Sequence, residues 1–510
     1  MTAIRRLPHG SVCRSASQRI NETGVPGALE KGGSTMAALS SDKHSIALPP
    51  LVYVLALTQF ALPFMYSGVG VTLPSLGLEL GTSGVGLGLI ETVYLAAGAA
   101  FLLPLGCVAQ RADKRTLFSV GLLVYACATL AIGWLPSTGS IVAVRVIQGI
   151  ASAFMGATVM AILFEATPAG VRGRAVGVCM GAVYCGLAAG PLVAGFITTQ
   201  LGWRWVFFIS SIPLFAAFLV VEWAYKGRWR FSKPELNWPS TILVILAVLL
   251  LVSGSSILGE QALGYLLLGA GLVACVAFFA LEERSEEPMM RLSAVRANRD
   301  YSRGLTSQFL VYAAGFAMTF LLSIFLQLVS GYTAQEAGLL LVVSPLCMAL
   351  MAPLSGYLAD RYRAKSVAGF GALLVMMSLL LATQISAGTP VEYLILVLVA
   401  QGVGLGMFSA PNVSRIMHSV EGDQVSIASA LSAKARSLGM LASMTVVMIQ
   451  LSIHMGPGPI SEPGSDFVHD MLFGYLNVVE SSFAVQAGLA FIAMLVVAGT
   501  GWARRLRSAR

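Results

Sequence analysis

Fourteen long apolar runs, each closed by a short charged or glycine-rich interruption, leave this chain few ways to fold. They lie at about 50–76, 85–109, 116–136, 139–163, 175–200, 203–224, 238–258, 262–281, 304–330, 337–358, 366–386, 392–414, 427–453 and 480–503. A run of roughly 20 apolar residues forms a helix long enough to cross the hydrocarbon core of a bilayer. No water reaches that core, so the backbone must satisfy its own polar groups, as a helix does. Composition agrees, with 56% of the 510 residues hydrophobic and 11% charged, against roughly 25% charged in soluble domains. The expectation is an all-α polytopic membrane protein with the lipid bilayer as its solvent.

Charge sets the sidedness. With the N-terminus inside, the inward loops and the C-terminal tail hold Arg111, Lys114, Arg115, Arg174, Arg228, Arg299, Arg363, Arg415 and most other basic residues. The outward loops and their edges hold one, Arg204, and the last of them, "GPGPISEPGSDFVHD", has no Lys or Arg. By the positive-inside rule both termini are cytoplasmic, and the expected location is a cell inner membrane. Residues 1–48 are polar, lack the apolar core of a signal peptide and read as a disordered cytoplasmic tail, with Met36 as a second candidate start.

The same placement disposes of other classes. A net charge of +8 suits nucleic acid, yet the basic residues lie in short loops between apolar runs, so no nucleic-acid partner is expected. Of seven cysteines all but Cys13 lie inside apolar runs, which suggests neither a disulfide framework nor a metal cluster. No phosphate-cradling motif, metal-ligand spacing or nucleophile–base arrangement is present, so neither a cofactor nor enzyme activity is expected.

One loop is written twice. "GCVAQRADKR" begins at Gly106 and "GYLADRYRAK" at Gly356, each on the inward side after a helix coming in. Parallel repeats of this kind characterise transporters built from two similar six-helix halves. The chain then divides into a six-helix bundle at 49–225, a linker with two extra membrane helices at 226–303, a second six-helix bundle at 304–503 and a tail at 504–510.

The loop motif Gly-x-x-x-Asp-Arg-x-x-x-Arg/Lys is matched at Gly356, Asp360, Arg361 and Lys365, and partly at Gly106, Arg111 and Arg115, with Gln110 in the place of the aspartate. "RVIQG" in span 4 supplies Arg145, Gln148 and Gly149, and "GLAAGPLVAG" in span 5 supplies Gly186, Gly190, Pro191 and Gly195. "GWRWVFFISSIP" and "FLQLVSGYTAQEAG" add to the set. From about residue 50 to 503 the chain resembles the major facilitator superfamily, in its fourteen-helix drug:proton antiporter branch (the EmrB/QacA type). The resemblance implies two bundles around a central cavity and proton-coupled efflux of small hydrophobic or amphipathic compounds by alternating access, with protons as coupling ion. It also admits a periplasmic membrane-fusion partner. One departure is visible: "FMYSGVGVTLP" has Met65 near the branch's usual acid in span 1 and Gly70 near its usual asparagine.

Ionisable groups inside a bilayer are costly and face a cavity or a partner. Glu91 lies in span 2, about six residues or roughly 9 Å from its outer end, and Arg145 lies in span 4 at a similar depth. Desolvation favours the neutral acid and the arginine favours the carboxylate, so movement of Arg145 would change the proton affinity of Glu91. The alternative is a static pair that ties two helices together. Asp360 with Arg361 and Lys365 suggests a cytoplasmic latch at a helix N-terminus, and Asp113 is a substitute for the charge missing at Gln110. Gln308, Tyr312, Ser323 and Gln327 in span 9 and Arg436 in span 13 are candidates for the cavity wall, with a buried polar stripe as the alternative for the first four. Lys434 reads as a snorkelling or packing residue. Two rival functions stay open: an organic-anion transporter using Arg145 and Arg436, and a non-transporting membrane sensor of the same fold.

Overall fold

Prolines, glycines and capping side chains decide where each apolar run becomes a helix. Pro50 opens the first helix, and Gly81 closes it in the left-handed region at φ 62°. Ser83 accepts from the Gly86 amide at 3.1 Å to start the second, and Thr333 and Glu336 form a reciprocal capping box at the tenth. The computed structural model describes residues 48–168, 171–224, 237–258, 262–285, 292–420, 424–455 and 468–499.

Among them are fourteen helices long and apolar enough to cross a membrane, and no strand. They are α1 Pro50–Leu80, α2 Gly84–Ala109, α3 Lys114–Ile132, α4 Thr138–Ala166, α5 Arg174–Leu201, α6 Trp203–Trp223, α7 Trp238–Ser256, α8 Ala262–Arg284, α9 Arg299–Val329, α10 Ala334–Ala359, α11 Ala364–Ala382, α12 Val391–His418, α13 Ala428–His454 and α14 Leu472–Ala498. The count and the order agree with the apolar runs. The last helix departs most from expectation: it was expected at 480–503, but it runs straight through Glu480 and starts earlier. Tyr475, Val478 and Val479 are buried and carry the helix through that single charge. The tails at 1–47 and 500–510, and the loop between α13 and α14, lie outside the described residues.

α1–α6 pack chiefly on one another, as do α9–α14. α7 lies in the groove between α2 and α13, where Val248 and Val252 join Val93, Ala96, Ala100 and Leu441 in one buried cluster. α8 leans on α7, where Phe278 joins Val244 of α7 and Leu103 of α2 in one buried cluster. Its other side presents Leu266, Leu272, Val273 and Val276, an apolar surface suited to lipid.

α9 is broken. It consists of Arg299–Gly315, Met318–Ile324 and a π turn at Phe325–Val329. The break frees backbone groups that hydrocarbon cannot satisfy. Ser443 accepts from the Ala317 amide at 3.0 Å, and Gln401 donates to the Gly315 carbonyl at 2.7 Å. Side chains of α12 and α13 thus make the interruption tolerable.

Candidate functional site

The deepest polar group in the first six helices is built on α4. Arg145, Gln148 and Gly149 fall on one face because residues three and four apart are neighbours on a helix. Gly149 lets that face touch α2, for a β-carbon there would stand 2.4 Å from the Tyr94 carbonyl oxygen. The close approach brings Arg145 against Glu91: Nη2 to Oε2 is 3.4 Å, with the two side chains 0% and 1% exposed. Arg145 also donates through Nε to the Ile90 carbonyl at 3.1 Å and through Nη1 to Gln148 Oε1 at 2.9 Å. Gln148 donates onward to Thr129 of α3 at 2.8 Å. The guanidinium carbon lies 4.8 Å from the centre of the Tyr94 ring.

Glu91 is less well served. Neither of its oxygens accepts a hydrogen bond from a described residue. At 3.4 Å and an effective dielectric of 20 the attraction to Arg145 is about 5 kcal/mol. The effective cost of desolvating each ion is several kcal/mol, so burying the two together offsets the attraction or exceeds it. An acid in that balance is sensitive to small movements of its partner. The sequence pointed to both residues of the pair; it did not point to Tyr94 or Thr129, although Tyr94, three positions after Glu91, shares its helix face.

The glycines of α5 form an interlock. A β-carbon on Gly186 would meet the Phe60 carbonyl oxygen at 2.2 Å, and one on Gly190 would meet Ser67 Oγ at 2.0 Å, so both serve the contact with α1. Gly195 faces the other way, with its β-position 2.4 Å from the Ala334 oxygen of α10. A β-carbon on Gly338 of α10 would in turn stand 2.2 Å from the Pro191 carbonyl oxygen. The Gln335 amide donates to Thr199 Oγ1 at 3.1 Å beside them.

Further contacts join α1–α6 to α9–α14 near the same face. Ser323 of α9 donates to the Gly70 carbonyl at 2.7 Å and Gln327 to the Val71 carbonyl at 2.9 Å. Gly88 of α2 takes Met448 of α13, and Gly84 takes Met455 just past the end of that helix. This face carries the ends of α1, α5 and α9 that the charges assign to the outside. Toward the opposite ends of α5 and α10 a methyl group built on Gly177, Gly181 or Gly356 meets nothing within 4 Å. Among the described residues the contacts that join α5 to α10 through glycines thus lie at Gly195 and Gly338.

The other expected residues are dispersed. Gln308 is buried and accepts from Asn412 at 2.8 Å, and Tyr312 shares a hydrogen bond with Ser409 at 2.8 Å. Gln327 belongs to the outer closure described above. Arg436 is half-buried and makes no ion pair among the described residues. In the repeated loop, the side chains of Gln110, Arg111 and Asp360 lie outside the described residues. Gly106 faces Lys434, whose Nζ is 3.6 Å from the glycine's β-position. Asp113 accepts from the Arg115 and Thr116 amides at 3.4 and 3.3 Å and caps α3, whereas its counterpart Arg363 caps α11 without a side-chain bond. Arg361 is exposed and Lys365 half-buried beside it. Arg204, the lone outer basic residue, is paired with Glu79, which also accepts from Trp203 Nε1 at 2.6 Å.

Fourteen apolar helices, two groups of them interlocked at one face, and a buried charge pair suit a membrane transporter. More closely, the chain belongs to the Major Facilitator Superfamily, whose family model matches residues 55–332 and 304–509. It is 27% identical over 335 residues to a riboflavin transporter of Clostridioides difficile, covering 65% of this chain and 72% of that one. It is likewise 27% identical to the multidrug resistance protein Stp of Mycobacterium tuberculosis, over 74% and 71% of the two chains. The tetracenomycin C resistance and export protein of Streptomyces glaucescens matches at 27% over 76% and 73%. Among solved structures, a peptide transporter in complex with alafosfalin superposes with a TM-score of 0.64 at 14% identity, over 88% and 94% of the chains. An inward-facing, unoccupied bacterial homologue of the lysosomal transporter Spinster gives 0.60 at 18%, over 88% and 98%. Both share the fold.

Proposed function

We propose that this transporter exports small, largely apolar compounds from the cytoplasmic side of a cell inner membrane, driven by proton entry. Glu91 is the proton carrier and Arg145 the group that changes its proton affinity between states. The buried pair carries the reading, because among the described residues Glu91 has one charged partner and no hydrogen bonds to hold it ionised. The α5 glycines support efflux by alternating access, with residues 49–225 and 304–503 as the two moving bundles. Gly195 and Gly338 are the contacts that must part when the outer side opens. Export and multidrug resistance are named for two of the relatives, in agreement with this direction.

Drug uptake into everted membrane vesicles tests it. Uptake should require a pH gradient, collapse when the gradient is dissipated and lose its dependence on the gradient in Glu91→Gln. Unchanged coupling in that variant would remove Glu91 from the mechanism, and no uptake under any gradient would favour a sensor. A second reading, transport of an organic anion, rests on Arg436, which is half-buried and without an ion pair among the described residues. Inhibition of uptake by anionic rather than neutral compounds would favour it.

A further inference from the structure

Tyr66 follows Met65, in the part of α1 where the resemblance leads one to expect an acid. Its ring is stacked on Phe316 of α9, centroid to centroid 4.8 Å with planes 25° apart. It also meets Tyr94 of α2, with centroids 6.3 Å apart and planes at 27°. Tyr94 lies under the Arg145 guanidinium at 4.8 Å, and Arg145 faces Glu91 at 3.4 Å. One ladder of contacts therefore runs from α9 through α1 and α2 to the buried ion pair on α2 and α4. Phe316 owes its position to the break in α9, whose freed backbone groups are held by Ser443 and Gln401.

The depth of the pair matters. Gly70, Val71 and Ser323, further toward the outer face, are buried in the closure between α1 and α9. Tyr66 lies four residues before Gly70 and Phe316 seven before Ser323, and both rings are only half-buried.

We propose that Tyr66 and Phe316 form the apex of the substrate site and that it takes compounds with a planar aromatic ring system. A flat ring displaces Phe316 and stacks on Tyr66 in its place, keeping the stacking on α1 while breaking the bridge to α9. A non-aromatic amphiphile fills the space without replacing the bridge. Movement of Tyr66 is passed to Tyr94 and so to the hold of Arg145 on Glu91, which links substrate to proton; this last link rests on the proton-carrier reading above. The titratable groups near the ladder are Glu91 and Tyr94 of α2, Tyr125 of α3, Arg145 of α4 and, one turn from Phe316, Tyr312 of α9 bound to Ser409.

The test uses the full chain in lipid nanodiscs with two cations, planar aromatic ethidium and ring-free dodecyltrimethylammonium, titrated at pH 6 and pH 8. Wild type should bind ethidium, Tyr66→Phe should bind it equally, and Tyr66→Leu should bind it about three- to tenfold more weakly, the size of one aromatic contact. Dodecyltrimethylammonium should change less than twofold in every variant. No ethidium binding by the wild type, or equal weakening of both ligands in Tyr66→Leu, would overturn the proposal. If Tyr66→Leu does not fold, Phe316→Leu decides: loss of the competing ring should tighten ethidium binding about threefold, and unchanged affinity overturns the proposal. The pH arm separates the two readings. If ring discrimination persists but wild type and Glu91→Gln show the same pH response, the proton reading fails and the aromatic site stands.

Discussion

Gly195 of α5 lies so close to Ala334 of α10 that a β-carbon on the glycine would stand 2.4 Å from the alanine carbonyl oxygen. No side chain fits there without moving one helix from the other. Gly195→Leu should therefore hold the outer face open. A cysteine replacing Leu326, which is 1% exposed in the closed arrangement, should be labelled by a membrane-impermeant maleimide several times faster when Gly195→Leu is added. An equal rate would mean that this contact does not control the closure.

Arg145 and Glu91 should prove unequal in their effects on stability. Removing the arginine leaves a buried acid without its cation, a change that typically costs about 3–5 kcal/mol. Arg145→Ala should lower the thermal unfolding temperature more than Glu91→Gln, and adding Glu91→Gln to Arg145→Ala should recover part of the loss. Strictly additive losses would show that the two groups do not interact.

Ser323 and Gln327 each donate one hydrogen bond from α9 to the backbone of α1. Such bonds are worth about 0.5–1.5 kcal/mol net. Ser323→Ala and Gln327→Ala should each raise labelling of the Leu326→Cys reporter by about two- to tenfold. Because Gln327 also donates to Ser323 Oγ at 3.1 Å, the double variant should fall short of the product of the two.

Asp113 caps α3 through the Arg115 and Thr116 amides. Asp113→Ala should cost about 1 kcal/mol in thermal stability. Gln110→Asp restores the charge of the second loop copy and should shift the protein toward the state closed on the inner side, read as slower labelling of a cysteine at Gly181. Unchanged labelling would show that the first copy does not act as a latch.

Much of the architecture was legible in the residues. "RVIQG" marks a helix face, and the structure uses Arg145, Gln148 and Gly149 together on that face. "QGVGLG" reads as a packing surface, and Gly402 and Gly406 do meet α10 while Gly404 meets α11. The start of α14 lies before the expected 480, because Tyr475, Val478 and Val479 are buried and carry the helix through Glu480. Tyr66 is one uncharged aromatic residue in an apolar run, and only its contact with Phe316 of α9 distinguishes it.

Hydropathy and charge by themselves determined the fourteen crossings, their order and their expected sidedness, since in hydrocarbon a backbone has almost no choice but to form a helix. Only the tertiary structure decided that α7 lies between α2 and α13, that α9 breaks before Phe316 and that Tyr66 meets it. The reason is that lipid-facing and protein-facing sides of these helices are alike apolar, so periodicity does not tell them apart. Which side chains meet depends on small residues and backbone approaches from helices hundreds of positions apart, and these exist only once the helices have packed.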